Sequence, residues 1–275
     1  MQSCRTALLL LCLTTAGLAA RAETAAPCRY EKGLVWVDVC VNDSREPLTF
    51  LLDSGAEESV IDQRAAKKLG LRFASREVVQ AVGGKTTAFR IENAALQFAG
   101  VTIRKPLLAM NLRSASKTVG RTIDGLLGAD FFANRIVQID YRAGQVCLLK
   151  KSPSSATSLP IVTNYDALCV AVDVDGNRLN KVRLDTGCDQ ALRWAMRADS
   201  KTTANRRTIG LSSGKTRERR CALQMGGLAL GEFKTSVHSR PVFPGEDGLL
   251  GNEALAKHVV TIDMVNRRLH LSPSR

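Results

Sequence analysis

The chain carries the same set of landmarks twice, in the same order, and this repeat limits its possible folds more than any other feature. Leu52-Asp53-Ser54-Gly55 returns as Leu184-Asp185-Thr186-Gly187, and the stretch DGLLGADFF from Asp124 returns as DGLLGNEAL from Asp247. Asp140 closes RIVQID at the same distance from Asp124 as Asp263, closing HVVTID, stands from Asp247. Short apolar segments then end each half, at 146–149 and 269–271. A repeat on this scale in 275 residues reads as two duplicated units. The division is 23–150 for the first unit and 159–275 for the second. The Lys-, Ser- and Pro-containing stretch 151–158 joins them as a linker.

The segments between landmarks are short, rich in Val, Ile and Leu, and separated by Gly, Asn and Asp. VDVCVND and VAVDVDGN alternate apolar and polar residues and end in turn formers, as half-buried strands do when they enter hairpins. Helix signals are brief. DQRAAKKLG places Ala65, Ala66 and Leu69 on one face with Gly70 at the C-terminal cap, and ADFFANR and NEALAKH each allow about two turns. A mainly β fold with short helices follows, because a βαβ array needs longer helices.

Residues 1–22 are read as a secretory signal peptide. Arg5 precedes an apolar run over 7–13, and Ala20-Arg21-Ala22 is a small-x-small site before Glu23. The run is shorter than the roughly 20 residues that span a bilayer, and no later segment is apolar enough, so no membrane span is expected after cleavage. Export to the periplasm or medium leaves Cys28, Cys40, Cys147, Cys169, Cys188 and Cys221 under oxidising conditions, where some disulfide pairing is expected. No Cys-x-x-Cys or His-x-x-x-His spacing occurs, so no metal and no cofactor is expected. Part of the +13 formal charge is concentrated over 201–220. No aromatic residues interleave those cations for base stacking, so a solvated hairpin is expected there and nucleic acid is not an expected partner.

Asp53 and Asp185 are the candidate chemical residues. A lone Asp-Ser/Thr-Gly is a common turn. Here each Asp is read as following a continuous apolar run, Phe50-Leu51-Leu52 or 182–184, which puts its carboxylate near an interior surface. An unpaired carboxylate is costly there, and two facing copies lower that cost by sharing one proton. Such a pair splits into one acid and one base. Ser54 and Thr186 can fix the two turns by their hydroxyls, and Gly55 and Gly187 allow close approach of the chain.

On these residues the chain resembles the retropepsin-like, pepsin-related aspartic proteases, with two lobes fused in one polypeptide. The resemblance implies two closed, barrel-like β lobes and a cleft between them for an extended peptide or unfolded protein. It implies catalytic roles for Asp53 and Asp185, with Leu127-Gly128 and Leu250-Gly251 passing behind the two turns. It also implies a β-hairpin flap over the cleft, for which Gly83-Gly84 and Ser213-Gly214 are the candidate tips. Neither stretch has the Tyr of the pepsin flap, which favours the retropepsin-like comparison. Two Asp turns in one chain make a monomer with internal pseudo-twofold symmetry the expected state. The alternative is a peptide-binding protein of the same fold that has lost turnover. Two buried carboxylates argue against it.

Asp124 and Asp247 are read as turn residues, and Asp140 and Asp263 as turn or capping residues. His238, His258 and His270 share no spacing with a nucleophile. Cys188 is read as buried or as paired with Cys221.

Overall fold

The structure, a computed structural model, describes residues 22–82, 84–154, 157–164, 166–195 and 217–274. The expected signal peptide except Ala22, the tips at Gly83, Ser213 and Gly214, and most of the basic stretch 201–220 lie outside these residues. The fold is mainly β with four short helices among the described residues.

The repeat is visible in the strand order. In the first half the path runs from Leu107–Met110 through Val60–Asp62, Gly125–Leu127 and Leu48–Leu52 to Leu34–Val41. In the second half it runs from Leu228–His238 through Leu192–Ala195, Gly248–Leu250 and Asn177–Leu184 to Ala167–Val174. The strand directions also match, with each Gly-Leu-Leu strand parallel to the strand that leads into an Asp turn. In the second half, pairing of Ala167–Val174 with Arg217–Met225 closes six strands into a barrel.

A third sheet, of six strands, takes strands from both halves, and at its centre the two Ile-Asp strands pair antiparallel, with Gln138 opposite Thr261. Thr157–Pro160 forms its edge against Arg268–Pro273, so the expected linker 151–158 runs into a strand at its end.

Alternation along the strands sorts side chains between two packing environments. Phe50 and Leu52 join the large core that runs through both halves. Leu51, between them, faces a smaller cluster with Trp36, Val60, Leu108 and Ile123. Among the described residues no helix is long and apolar enough to cross a membrane.

The helix Gln63–Lys68 is capped by Asp62, whose carboxylate accepts from the Arg64 amide at 3.0 Å, and Gly70 follows at φ +67°. The helices expected to have about two turns after the DGLLG motifs are shorter, Ala129–Phe132 and Asn252–Leu255. Each is followed almost at once by an Ile-Asp strand, and Asn134 at φ +57° turns the first chain toward that strand.

The expected cysteine pairing is not formed. All six cysteines among the described residues are free, and five of them are buried. The buried ones pack as small apolar groups: burial first pushes Cys28 up to about 11 and Cys169 up to about 12 and raises Cys147, whose charge also acts on Cys28. Cys188 is pushed up in the same way, and Cys221 lies 3.5 Å from the Thr235 hydroxyl rather than against Cys188.

Candidate active site

Each Asp turn is held by its own half and locked to the other. The Asp53 amide donates to the Leu127 carbonyl and the Asp185 amide to the Leu250 carbonyl, both at 2.9 Å, so the Leu-Gly segments lie directly behind the turns. A Cβ on Gly128 would lie 2.6 Å from the Glu58 carbonyl carbon, and only glycine permits that approach. Carboxylate oxygens then fold back onto the turns. Asp53 Oδ1 accepts from the amides of Gly55 and Ala56 at 3.0 Å each, and Asp185 Oδ1 accepts from the Gly187 amide at 2.9 Å.

The two turns are crossed by four reciprocal hydrogen bonds. The Ser54 hydroxyl donates to the Leu184 carbonyl at 2.8 Å and accepts from the Thr186 amide at 3.1 Å. The Thr186 hydroxyl donates to the Leu52 carbonyl at 2.7 Å and accepts from the Ser54 amide at 2.9 Å. Both residues are fully buried, so water cannot replace these bonds. Thr186→Val keeps the shape but strands the Leu52 carbonyl and the Ser54 amide. It is expected to lower stability by about 2–4 kcal/mol, read as a shift in the denaturant midpoint. An unchanged midpoint would remove this network from the account of how the halves are joined.

The lock sets the Asp53 and Asp185 carboxyls on either side of the two glycines, where a Cβ on Gly55 would lie 2.5 Å from Asp185 Cγ and one on Gly187 2.5 Å from Asp53 Cγ. Burial pushes both above the ordinary carboxylate range. Asp53 is drawn back by the Ala56 and Gly55 amides and by its hydrogen bond with Asp185, whereas Asp185 is raised further by the charge of Asp53. The two carboxyls therefore titrate together as one pair, both above the ordinary carboxylate range.

Beside the pair lies a cavity of about 420 Å³. The first half lines it with the aliphatic Leu51, Val60, Leu108 and Leu126 and with the polar Glu57, Glu58, Gln80, Arg90 and Asn111, while Arg183 and Phe243 come from the second half. The hairpin of Arg76–Ala81 and Gly84–Ile91 contributes Val79 to Val82 to the lining, and a Cβ on Gly84 would meet nothing within 4 Å.

Sequence reasoning passed over Arg183. It lies inside the segment 182–184, where the first half has Leu51, so the second run is not continuously apolar. Its guanidinium makes a bidentate pair with Glu246 at 2.8 and 2.6 Å, donates to the Gly55 carbonyl at 2.7 Å, and stacks 3.9 Å above the Phe243 ring centroid. The mismatch between the repeats at this one position was the available signal. Asn252 was also passed over. Its amide donates to the carbonyls of Thr186 and Gly33 at 2.7 and 2.9 Å, and its oxygen accepts from the Tyr141 hydroxyl at 2.9 Å.

The other acids stand apart from the pair. Asp124 accepts from the Thr49 amide, Asp247 from the Asn180 and Lys181 amides, and Asp140 and Asp263 from turn amides just beyond their strands. The three histidines are all held below their ordinary range, first by burial.

Comparison with known proteins adds one match. Residues 37–131 fit the family model described as aspartyl protease. The matched span contains Asp53, Ser54, Gly55, Leu127 and Gly128, and ends before the second half of the chain. It supports a protease function of the retropepsin-like aspartic type. No curated protein matches the chain.

Proposed function

We propose that the chain is an exported aspartic endopeptidase, built as two fused lobes over 23–150 and 159–275, that hydrolyses extended peptide with a water activated by Asp53 and Asp185. The observation that carries this reading is that two carboxyls from corresponding positions of the repeat, a buried Asp185 and a half-buried Asp53, meet across Gly55 and Gly187 beside one cavity. In the proposed cycle the ionised Asp53 takes a proton from a water bound between the carboxyls, and Asp185 gives its proton to the peptide carbonyl oxygen. The resulting tetrahedral intermediate collapses as the amine leaves protonated, and the pair again holds one proton. The hairpin ending at Val82 and Gly84 is the proposed flap. A monomer suffices, because one chain supplies both acids.

The test is incubation of the purified chain with a reduced, unfolded protein between pH 3 and 8, with fragments read by mass spectrometry. Endoproteolysis is expected. Peptide binding in calorimetry without any cleavage would overturn the reading in favour of the binding protein. Export is checked separately by sequencing the N-terminus of the exported product, which should begin at Glu23.

The raised carboxyls also set a pH dependence of stability. A group whose folded pKa lies above its unfolded value contributes stability that is complete below the unfolded pKa, about 4 for Asp, and is lost as pH rises toward the folded value. Asp185→Asn removes that loss. The variant should gain on the wild type by up to about 1.4 kcal/mol for each pH unit above about 4 until Asp185 has ionised. Paired urea titrations at pH 4 and 7 measure the difference. Parallel behaviour at both pH values would mean that Asp185 is not held protonated by the fold.

A further inference from the structure

The two Asp turns share one further link, and the repeat does not duplicate it. Arg183 stands where the first half has Leu51, since each pairs with the middle residue of its Gly-Leu-Leu strand. Leu51 has nothing to donate. Arg183 reaches across to the first half, where its Nη1 gives the Gly55 carbonyl a 2.7 Å hydrogen bond. Gly55 is the residue that abuts the Asp185 carboxyl, so this bond grips the first Asp turn where the two turns meet.

The guanidinium is held on several sides. It forks onto Glu246 and lies over the Phe243 ring, while the Asn164 amide donates to Glu246 at 3.1 Å. The Arg183 and Glu246 side chains are only 4% and 2% exposed. An ion pair buried this deeply stabilises a fold no better than aliphatic packing does, and the first half uses Leu at the same place. Stability alone therefore does not account for it.

Arg183 also lines the cavity beside the carboxyls, and its charge acts on both Asp53 and Asp185, favouring their ionised forms. Other titratable groups face the site. Glu57 of the first turn lies 3.4 Å from Arg183 and is raised, first by burial. Arg193, at the place of Val60, adds a second positive charge that Asp185 feels. The thiols of Cys188, beside Asp185, and of Cys169, opposite Arg183 on the neighbouring strand, are held neutral by burial.

We propose that Arg183 is a positioning residue for hydrolysis: it ties the first Asp turn to the second half through Gly55 and holds a fixed positive charge that favours the singly protonated, anionic form of the pair. This rests on the peptidase reading. Activity rises as the pair loses its first proton and falls as it loses its second, and a nearby cation makes each loss easier. Both limbs of the pH–rate profile then lie lower than they would without Arg183.

The test is the pH profile of kcat/KM, which reports the ionisations of the free enzyme, for an end-blocked peptide without Asp, Glu or His. Arg183→Met combined with Glu246→Gln removes the cation without stranding its buried partner. Both limbs should move to higher pH by about one unit, the lower end of what an opposite charge does to a nearby carboxyl. Glu246→Gln alone keeps the cation and removes its counter-ion, so both limbs should move to lower pH. Arg183→Lys keeps the charge but not the fork, and the limbs should stay near their wild-type positions while kcat falls by about tenfold. An arginine that only holds the fold together would lower the rate with both limbs in place. Limbs of the double variant that stay in place, or that move to lower pH, overturn the proposal. Should circular dichroism show the double variant unfolded, Glu246→Gln decides: limbs moved to lower pH uphold the proposal, and any other result overturns it. If the wild type cleaves no peptide, the peptidase reading fails on its own. In that case, or with a folded variant that has no turnover, NMR titration of the isotope-labelled aspartate carboxyls decides. Transitions of Asp53 and Asp185 at higher pH in the double variant uphold the role of Arg183, and superimposable titrations overturn it.

Discussion

Gly55→Ala, a change of one methyl group, is expected to lower kcat/KM for peptide hydrolysis by at least about 100-fold in a protein that still folds. The added Cβ would stand 2.5 Å from both Cγ and Oδ1 of Asp185, where carbon atoms normally approach to about 3.5–4.0 Å. Something must move by about 1 Å, and what can move is a carboxyl or the turn that holds it. A displacement of that size in a reacting group costs on the order of 100-fold in rate. The corresponding Gly187→Ala would place its Cβ 2.5 Å from Asp53 Cγ, so the two variants should behave alike. Steady-state kinetics beside a melting curve separates lost geometry from lost fold. Wild-type kinetics in Gly55→Ala would mean that the carboxyls do not meet across this glycine during turnover.

The repeat was legible because turn chemistry leaves a local signature. Asp-Ser/Thr-Gly and Asp-Gly-Leu-Leu-Gly are contiguous motifs whose residue types are set by a tight backbone path, and the structure gives their strands the same order and directions in both halves. The helix at Gln63–Lys68 was legible for a similar reason, since its Asp cap, its buried alanines and its terminal glycine are neighbours in sequence. Contacts between distant segments left no such trace. Nothing in HVVTID or RIVQID announces that they pair with each other at the centre of a joint sheet.

Arg183 and Arg193 were hidden differently. Each occupies a place where the strand pattern leads one to expect an aliphatic residue, and only alignment of one half on the other shows the exchange for Leu51 and Val60. The cysteines misled because composition and compartment suggested pairing, whereas pairing depends on distances between strands that the sequence does not carry. The buried thiols serve as packing instead.

The second large effect concerns the acids themselves. Asn is nearly isosteric with Asp and can accept or donate hydrogen bonds, but it cannot exchange a proton with water or a carbonyl oxygen. In the proposed mechanism Asp53 and Asp185 hold one proton between them, so replacing either removes the acid and the base together, and general acid–base catalysis contributes about 100- to 10,000-fold. The reciprocal bonds of Ser54 and Thr186 do not involve either carboxyl, so both variants should remain folded. The decisive measurement is therefore cleavage of an unfolded protein by wild type, Asp53→Asn and Asp185→Asn, side by side at the pH where the wild type is fastest. Loss of at least about 1,000-fold in each variant, with unchanged circular dichroism, is the predicted result; full activity in either one would contradict a catalytic pair formed by Asp53 and Asp185.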